Sequence, residues 1–152
     1  MDKIASFCVD HTKLLPGIYV SRIDGDITTY DIRMRKPNTP PYLANPVLHT
    51  IEHLFATFAR NSEFKDNVIY FGPMGCRTGF YFLLRNIKEE DAVKLIIRTF
   101  EEIAEYSGEI PGARANECGN YLDHDLDGAV SEAKEFLKVI SNWNAEKLKY
   151  PD

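Results

Sequence analysis

The sequence predicts an α+β fold, with helices packed on a mainly antiparallel β-sheet in a single compact domain over residues 1–152. Three observations predict it. Strand-like segments come in two adjacent, hairpin-like groups. A segment of helical period follows each group. The regular strand–helix alternation that a parallel sheet needs is missing.

Taken in order, "GIYVSRIDGDITTYDIRMR" reads as two strands joined at Asp24-Gly25, a turn signal between β-prone flanks. "KPNTPPYLANP" is rich in Pro and Asn and reads as a loop. A helix is expected from about Pro46 to Arg60, with Asn45 as its N-cap and proline tolerated in its first turn. Leu48, Ile51, Phe55 and Phe58 give it an apolar stripe near helical period. "NVIYFG" is a short apolar strand ended by the sharp "GPMG", and "TGFYFLLR" is the next strand. "KEEDAVKLIIRTFEEIAEYSG" is an amphipathic helix, opened by acidic residues and closed by Gly108. "EIPGARANECGNYLDHD" is a loop, and a last helix begins near Asp125 with Leu126, Ala129, Val130, Ala133, Phe136, Leu137 and Ile140 on one face.

Composition narrows the function. The net charge is −5 with no block of Lys or Arg, which argues against a nucleic-acid partner. No segment reaches membrane-spanning length, and "MDKIASFCVD" lacks the apolar run of a signal peptide. The three cysteines, Cys8, Cys76 and Cys118, are an odd number. They suit packing, metal binding or catalysis in a cytoplasmic protein better than a disulfide framework.

"HTIEHL" carries the first chemical signal. A helix advances about 100° per residue, so His49 and His53 lie on one face, one turn apart, and can reach one ion. Glu52 borders the same site and can move protons without coordinating. Two of the chain's four histidines stand here, and buried histidines need partners. Cys118, in the polar loop "ANECGNYLDHD", can complete the set. Three protein ligands and one open position make a catalytic rather than a structural site. Imidazole and thiolate suit Zn²⁺, Fe²⁺ or Co²⁺.

Cys76 stands in the turn "GPMGCRTG", where Gly75 and Gly79 let backbone approach closely. A thiol there faces a cleft, and a metal or Arg77 favours its thiolate. Read alone, H-x-x-E-H suggests an inverted zinc metallopeptidase. Peptide hydrolysis has no evident use for a second acid–base group. A metal flanked by a thiol and a carboxylate suits proton abstraction beside a carbonyl, with protons taken and returned on different carbons. A non-catalytic metal-binding module would leave Cys76 and Glu52 without a task.

These segments together resemble the S-ribosylhomocysteine lyase family, LuxS. The similarity runs nearly end to end. It rests on "SFCVDH" (Ser6 to His11), "YDIRMRKPN" (Tyr30 to Asn38), "HTIEHLFATFAR" (His49 to Arg60), "GPMGCRTGFY" (Gly72 to Tyr81) and "ECGNYLDHDL" (Glu117 to Leu126). The resemblance implies cleavage of S-ribosyl-L-homocysteine to L-homocysteine and 4,5-dihydroxy-2,3-pentanedione, the precursor of autoinducer-2, by carbonyl migration and β-elimination. It implies one divalent metal per subunit, Fe²⁺ with Zn²⁺ or Co²⁺ as replacements, held by His49, His53 and Cys118. Cys76 and Glu52 become the two acid–base groups, with Glu52 the base for elimination. Ser6, His11 and Arg33 match positions lining the ribose and metal pocket. Arg60 matches one that meets the homocysteine end from the partner subunit of a homodimer. Tyr70 and Gly72 depart from members that carry aspartate and serine there. His124 and Cys8 are expected to be structural.

Overall fold

The computed structural model describes all 152 residues. Four strands form one sheet: β1 (Gly17–Asp24), β2 (Ile27–Arg33), β3 (Val68–Pro73) and β4 (Gly79–Arg85), in the order β1-β2-β4-β3. Every neighbouring pair is antiparallel, as expected. Helices α1 (Asn45–Arg60), α2 (Glu89–Ala104) and α3 (Leu126–Ile140) complete the fold.

Side chains alternate across a strand, and the sheet uses this to make two different faces. Ile18, Tyr30, Ile32, Phe80, Phe82 and Leu84 are fully buried in a core shared with all three helices. The alternate positions Thr29, Asp31 and Arg33 of β2 and Tyr81 and Leu83 of β4 belong to the second face. Asp31 pairs in register with both Tyr19 of β1 and Tyr81 of β4. Gly79 opposes Arg33, and a Cβ there would stand 2.2 Å from the Ile32 carbonyl oxygen. Only glycine fits this crossing. Gly75, expected to serve the same purpose, has open space around it.

Helix α1 is anchored through Phe55, which stacks on Phe71 at 3.9 Å and meets Phe82 and Phe100 edge-on. Asn45 is its first residue rather than its cap, and Ala44 precedes it without a side-chain cap. Helix α2 stops at Ala104, before Gly108. Helix α3 begins beside Asp125, as expected, and Asp125 caps it by accepting the Gly128 N–H at 2.9 Å. The segment after α3 returns to the sheet: Val20 N–H donates to the Leu148 carbonyl at 2.8 Å, and the Trp143 indole N–H donates to the Ile18 carbonyl at 2.9 Å.

Candidate metal centre and the buried network at the Cys76 turn

Helical spacing places His49 and His53 on one side of α1, with their rings edge-on at 4.6 Å. The 105–125 loop then fixes both. His49 Nδ1 lies 2.8 Å from the Asp123 carbonyl oxygen, and His53 Nδ1 lies 2.7 Å from that of Pro111. A carbonyl only accepts, so each Nδ1 carries the proton and each Nε2 keeps its lone pair. This is the arrangement a metal-binding histidine needs.

The Cys118 thiol meets these lone pairs. Its Sγ lies 3.3 Å from His49 Nε2 and 3.9 Å from His53 Nε2. An ion at tetrahedral angles, about 2.0–2.1 Å from nitrogen and 2.3 Å from sulfur, would set N and S roughly 3.6 Å apart. The two observed distances bracket that value, so the donor set fits a transition-metal ion.

His124 joins this group, with all four ligand atoms within 4.8 Å of one another. The sequence reading expects it to be structural, since no spacing rule links it to α1. Its ring stacks on His49 at 4.0 Å with a 21° interplanar angle. Lone pairs lie in the ring plane, so two nearly parallel imidazoles do not converge on one ion. His124 therefore backs His49 rather than competing with it. Thr50 Oγ1 donates to the Pro46 carbonyl, accepts from Asp125 N–H and contacts His124 Nδ1 at 2.9 Å. With the hydroxyl proton committed to Pro46, His124 Nδ1 is the donor and its buried Nε2 has no partner. Burial first, then His49 and His53, holds the His124 pKa below the ordinary histidine value.

Glu52 is half-buried beside His53 and stands outside the ligand group. Cys76 is in the β3–β4 turn, as expected, and its Sγ lies 3.1 Å from Thr78 Oγ1. That hydroxyl also accepts from Arg33 Nη1 at 2.8 Å. Arg33 is only 2% exposed, and its Nε and Nη2 grip the two oxygens of Asp31 at 3.1 and 2.6 Å. Burial opposes the charge, yet Asp31 holds the Arg33 pKa above its ordinary value. The structure thus brings Arg33 to Cys76, through Thr78.

Ser6 lies in a short turn, Ala5–Phe7, and lines a cavity of about 310 Å³ on the second sheet face with Thr29, Tyr81 and Leu83. His11 contacts the Val9 carbonyl through Nδ1 at 2.8 Å. Arg60 donates to the Ile69 carbonyl at 3.0 Å, which carries its guanidinium to β3 beside Tyr70. The Tyr70 ring covers Gly72, so that a Cβ there would stand 2.4 Å from the phenol oxygen. Cys8 is exposed, against the expectation of packing, with its thiol turned to the Ile4 carbonyl at 3.5 Å.

Residues 4–147 match the family described as S-Ribosylhomocysteinase (LuxS). The chain is 50% identical to an S-ribosylhomocysteine lyase of Borrelia garinii subsp. bavariensis, over 99% of this chain and 100% of that protein. It is 49% identical to one of Clostridium beijerinckii and 51% identical to one of Finegoldia magna, each over the full length of both chains.

Proposed function

The chain belongs to the S-ribosylhomocysteinase (LuxS) family, and from that premise we propose how its residues share the work of the lyase reaction. The enzyme cleaves S-ribosylhomocysteine to homocysteine and 4,5-dihydroxy-2,3-pentanedione, the autoinducer-2 precursor. One observation carries the reading: two histidine lone pairs and a thiol converge at the spacing of a tetrahedral ion. His49, His53 and Cys118 would hold one divalent metal, and Fe²⁺ is the ion we assign, with Zn²⁺ or Co²⁺ as replacements. When bound, it supplies a Lewis acid that polarises the sugar oxygens.

The protein's own groups move the protons. Carbonyl migration needs a proton removed from one carbon and returned to its neighbour, twice over, and Cys76 and Glu52 are the two carriers. Glu52, next to His53 and three residues after His49 on α1, takes the proton whose loss expels the homocysteine thiol. Ser6, His11 and Arg33 border the sugar end, Arg33 by holding the Cys76 turn. Arg60 offers the fork that pairs with a carboxylate at the amino-acid end. The metal group and the Cys76 turn form two halves of one site. We infer that a homodimer completes it, with the second sheet face as the contact. Leu83 and Tyr81 line two open cavities on that face. Residues 1–152 act as one catalytic domain. No helix is long and apolar enough to cross a membrane. We place the enzyme in the cytoplasm, where a ligand thiolate and a reactive thiol stay reduced.

The test is thiol release. Metal-loaded protein is incubated with S-ribosylhomocysteine and the liberated thiol is titrated, then the assay is repeated with Cys76→Ala. Thiol release by the parent and none by the variant is expected. A parent that releases no thiol sinks the lyase assignment. Peptide cleavage that survives Cys76→Ala would instead support the inverted zinc peptidase, which the relatives do not favour.

A further inference from the structure

Beyond Arg33, the buried network on the second sheet face continues into the segment after α3. The Tyr150 hydroxyl donates to Asp31 Oδ2 at 2.7 Å. The same oxygen takes Arg33 Nη2 at 2.6 Å, while Arg33 Nη1 donates to Thr78 Oγ1 at 2.8 Å. With a lone pair of Thr78 occupied by Arg33, its hydroxyl hydrogen is free to point at Cys76 Sγ, 3.1 Å away. The donors therefore run in one sense, from a phenol and a guanidinium onto a carboxylate, and from the same guanidinium through a hydroxyl to sulfur. Asp31 is fully buried and Arg33 and Thr78 are each 2% exposed, so water does not replace a missing member cheaply.

We propose that Tyr150 is a positioning residue for the Cys76 thiol, acting through Asp31, Arg33 and Thr78. Tyr150 fixes the carboxylate that orients the Arg33 fork, and hence the hydroxyl that faces the sulfur. The Tyr150 ring is held independently by stacking on Tyr19 at 5.2 Å. Lys13 Nζ pins the segment further by donating to the Asp152 carbonyl at 2.9 Å. Removing the hydroxyl alone therefore leaves the segment in place.

The effect on turnover rests on the acid–base role proposed for Cys76, but the effect on the thiol does not. The experiment compares full-length, metal-loaded parent, Tyr150→Phe, Thr78→Val and the double variant. Iodoacetamide alkylation of each cysteine is followed at fixed pH by peptide mass spectrometry, together with metal content, kcat and KM. Tyr150→Phe is expected to slow Cys76 alkylation and lower kcat about five-fold, the size of one ordinary hydrogen bond, with KM and metal content unchanged. Exposed Cys8 should react as in the parent. In the Thr78→Val background the same substitution should add nothing, because the path is already cut.

Unchanged Cys76 alkylation in Tyr150→Phe overturns the inference. So does an undiminished effect in the Thr78→Val background, or faster alkylation of Cys8 and Cys76 together, which would report a loosened fold. The outcomes separate from the functional assignment. If Tyr150→Phe slows alkylation while Cys76→Ala still releases thiol, the positioning stands and the acid–base role of Cys76 falls.

Discussion

His53 owes its orientation to Gly112 as much as to α1. Gly112 has φ +73°, and a Cβ there would stand 3.2 Å from His53 Nδ1. Gly112→Ala should strain the loop by about 1–3 kcal/mol and push the ring off the Pro111 carbonyl. Equilibrium dialysis against a chelator should then show weaker metal retention, while far-UV circular dichroism is unchanged. Cys118→Ala should lose the metal outright, and Glu52→Gln should keep it and lose turnover; metal analysis beside the thiol assay checks both. Full metal in Cys118→Ala would refute the ligand set. His49, His53 and Cys118 could be found in the sequence because helical spacing and donor chemistry are properties of residue type. The partners that fix the rings could not, since Asp123 and Pro111 contribute backbone carbonyls and any residue has one. The place of His124 against the metal group was not legible for a related reason. This residue reaches the group through a loop of irregular path and is held by Thr50, whose type carries no metal signal. Arg33 stands out in the sequence only through the family resemblance, and its burial among Asp31, Thr78 and Tyr150 depends on partners from distant segments, which local pattern does not report.

Helix α1 carries the ligands, and its seat is aromatic. Phe55 touches β3, β4 and α2 through Phe71, Phe82 and Phe100. Phe55→Ala should cost about 3–5 kcal/mol, read as a lower denaturant midpoint, and the loosened helix should also bind metal more weakly. Phe55→Leu, closer in volume, should be much milder on both counts. A second contact ties α2 to the segment after α1: Arg98 grips both oxygens of Glu63 at 2.8 and 2.9 Å. The Arg98 hydrogen bond, chiefly, lowers the Glu63 pKa from its ordinary 4.5. A lowered folded value means that the contribution is complete above 4.5 and disappears as pH falls through the lowered value. The Tm difference between parent and Glu63→Gln should accordingly be small but present at pH 7, and should vanish in acid. The helices themselves were legible from their apolar stripes, and their ends less so. Helix α2 ends four residues ahead of Gly108, because Glu105 to Ser107 lie beyond the last buried position, Ala104. A glycine permits a stop but does not locate it.

At the scale of the whole molecule, the sheet has one face closed by helices and one that stays accessible around Leu83, Tyr81 and Tyr70. Light scattering should give twice the 17.4 kDa chain mass. Leu83→Lys should return the particle to one chain mass, keep its metal and lose thiol release, because the charge disrupts the contact and not the ligands. A dimer that survives with full activity would move the contact elsewhere. The alternation that makes these two faces was readable from each strand, whereas the order β1-β2-β4-β3 required the pairing of β2 with β4, a contact between distant segments. The 105–125 loop has no helix or strand of its own, yet it supplies Cys118 and both carbonyls behind the histidines. A bound ion would join Cys118 of this loop to the two histidines of α1, so the loop's order and metal affinity must be linked quantities. Stripping the metal should thus raise susceptibility to limited proteolysis within 105–125 while the sheet resists. The speed of that nick would report metal loss before activity is measured.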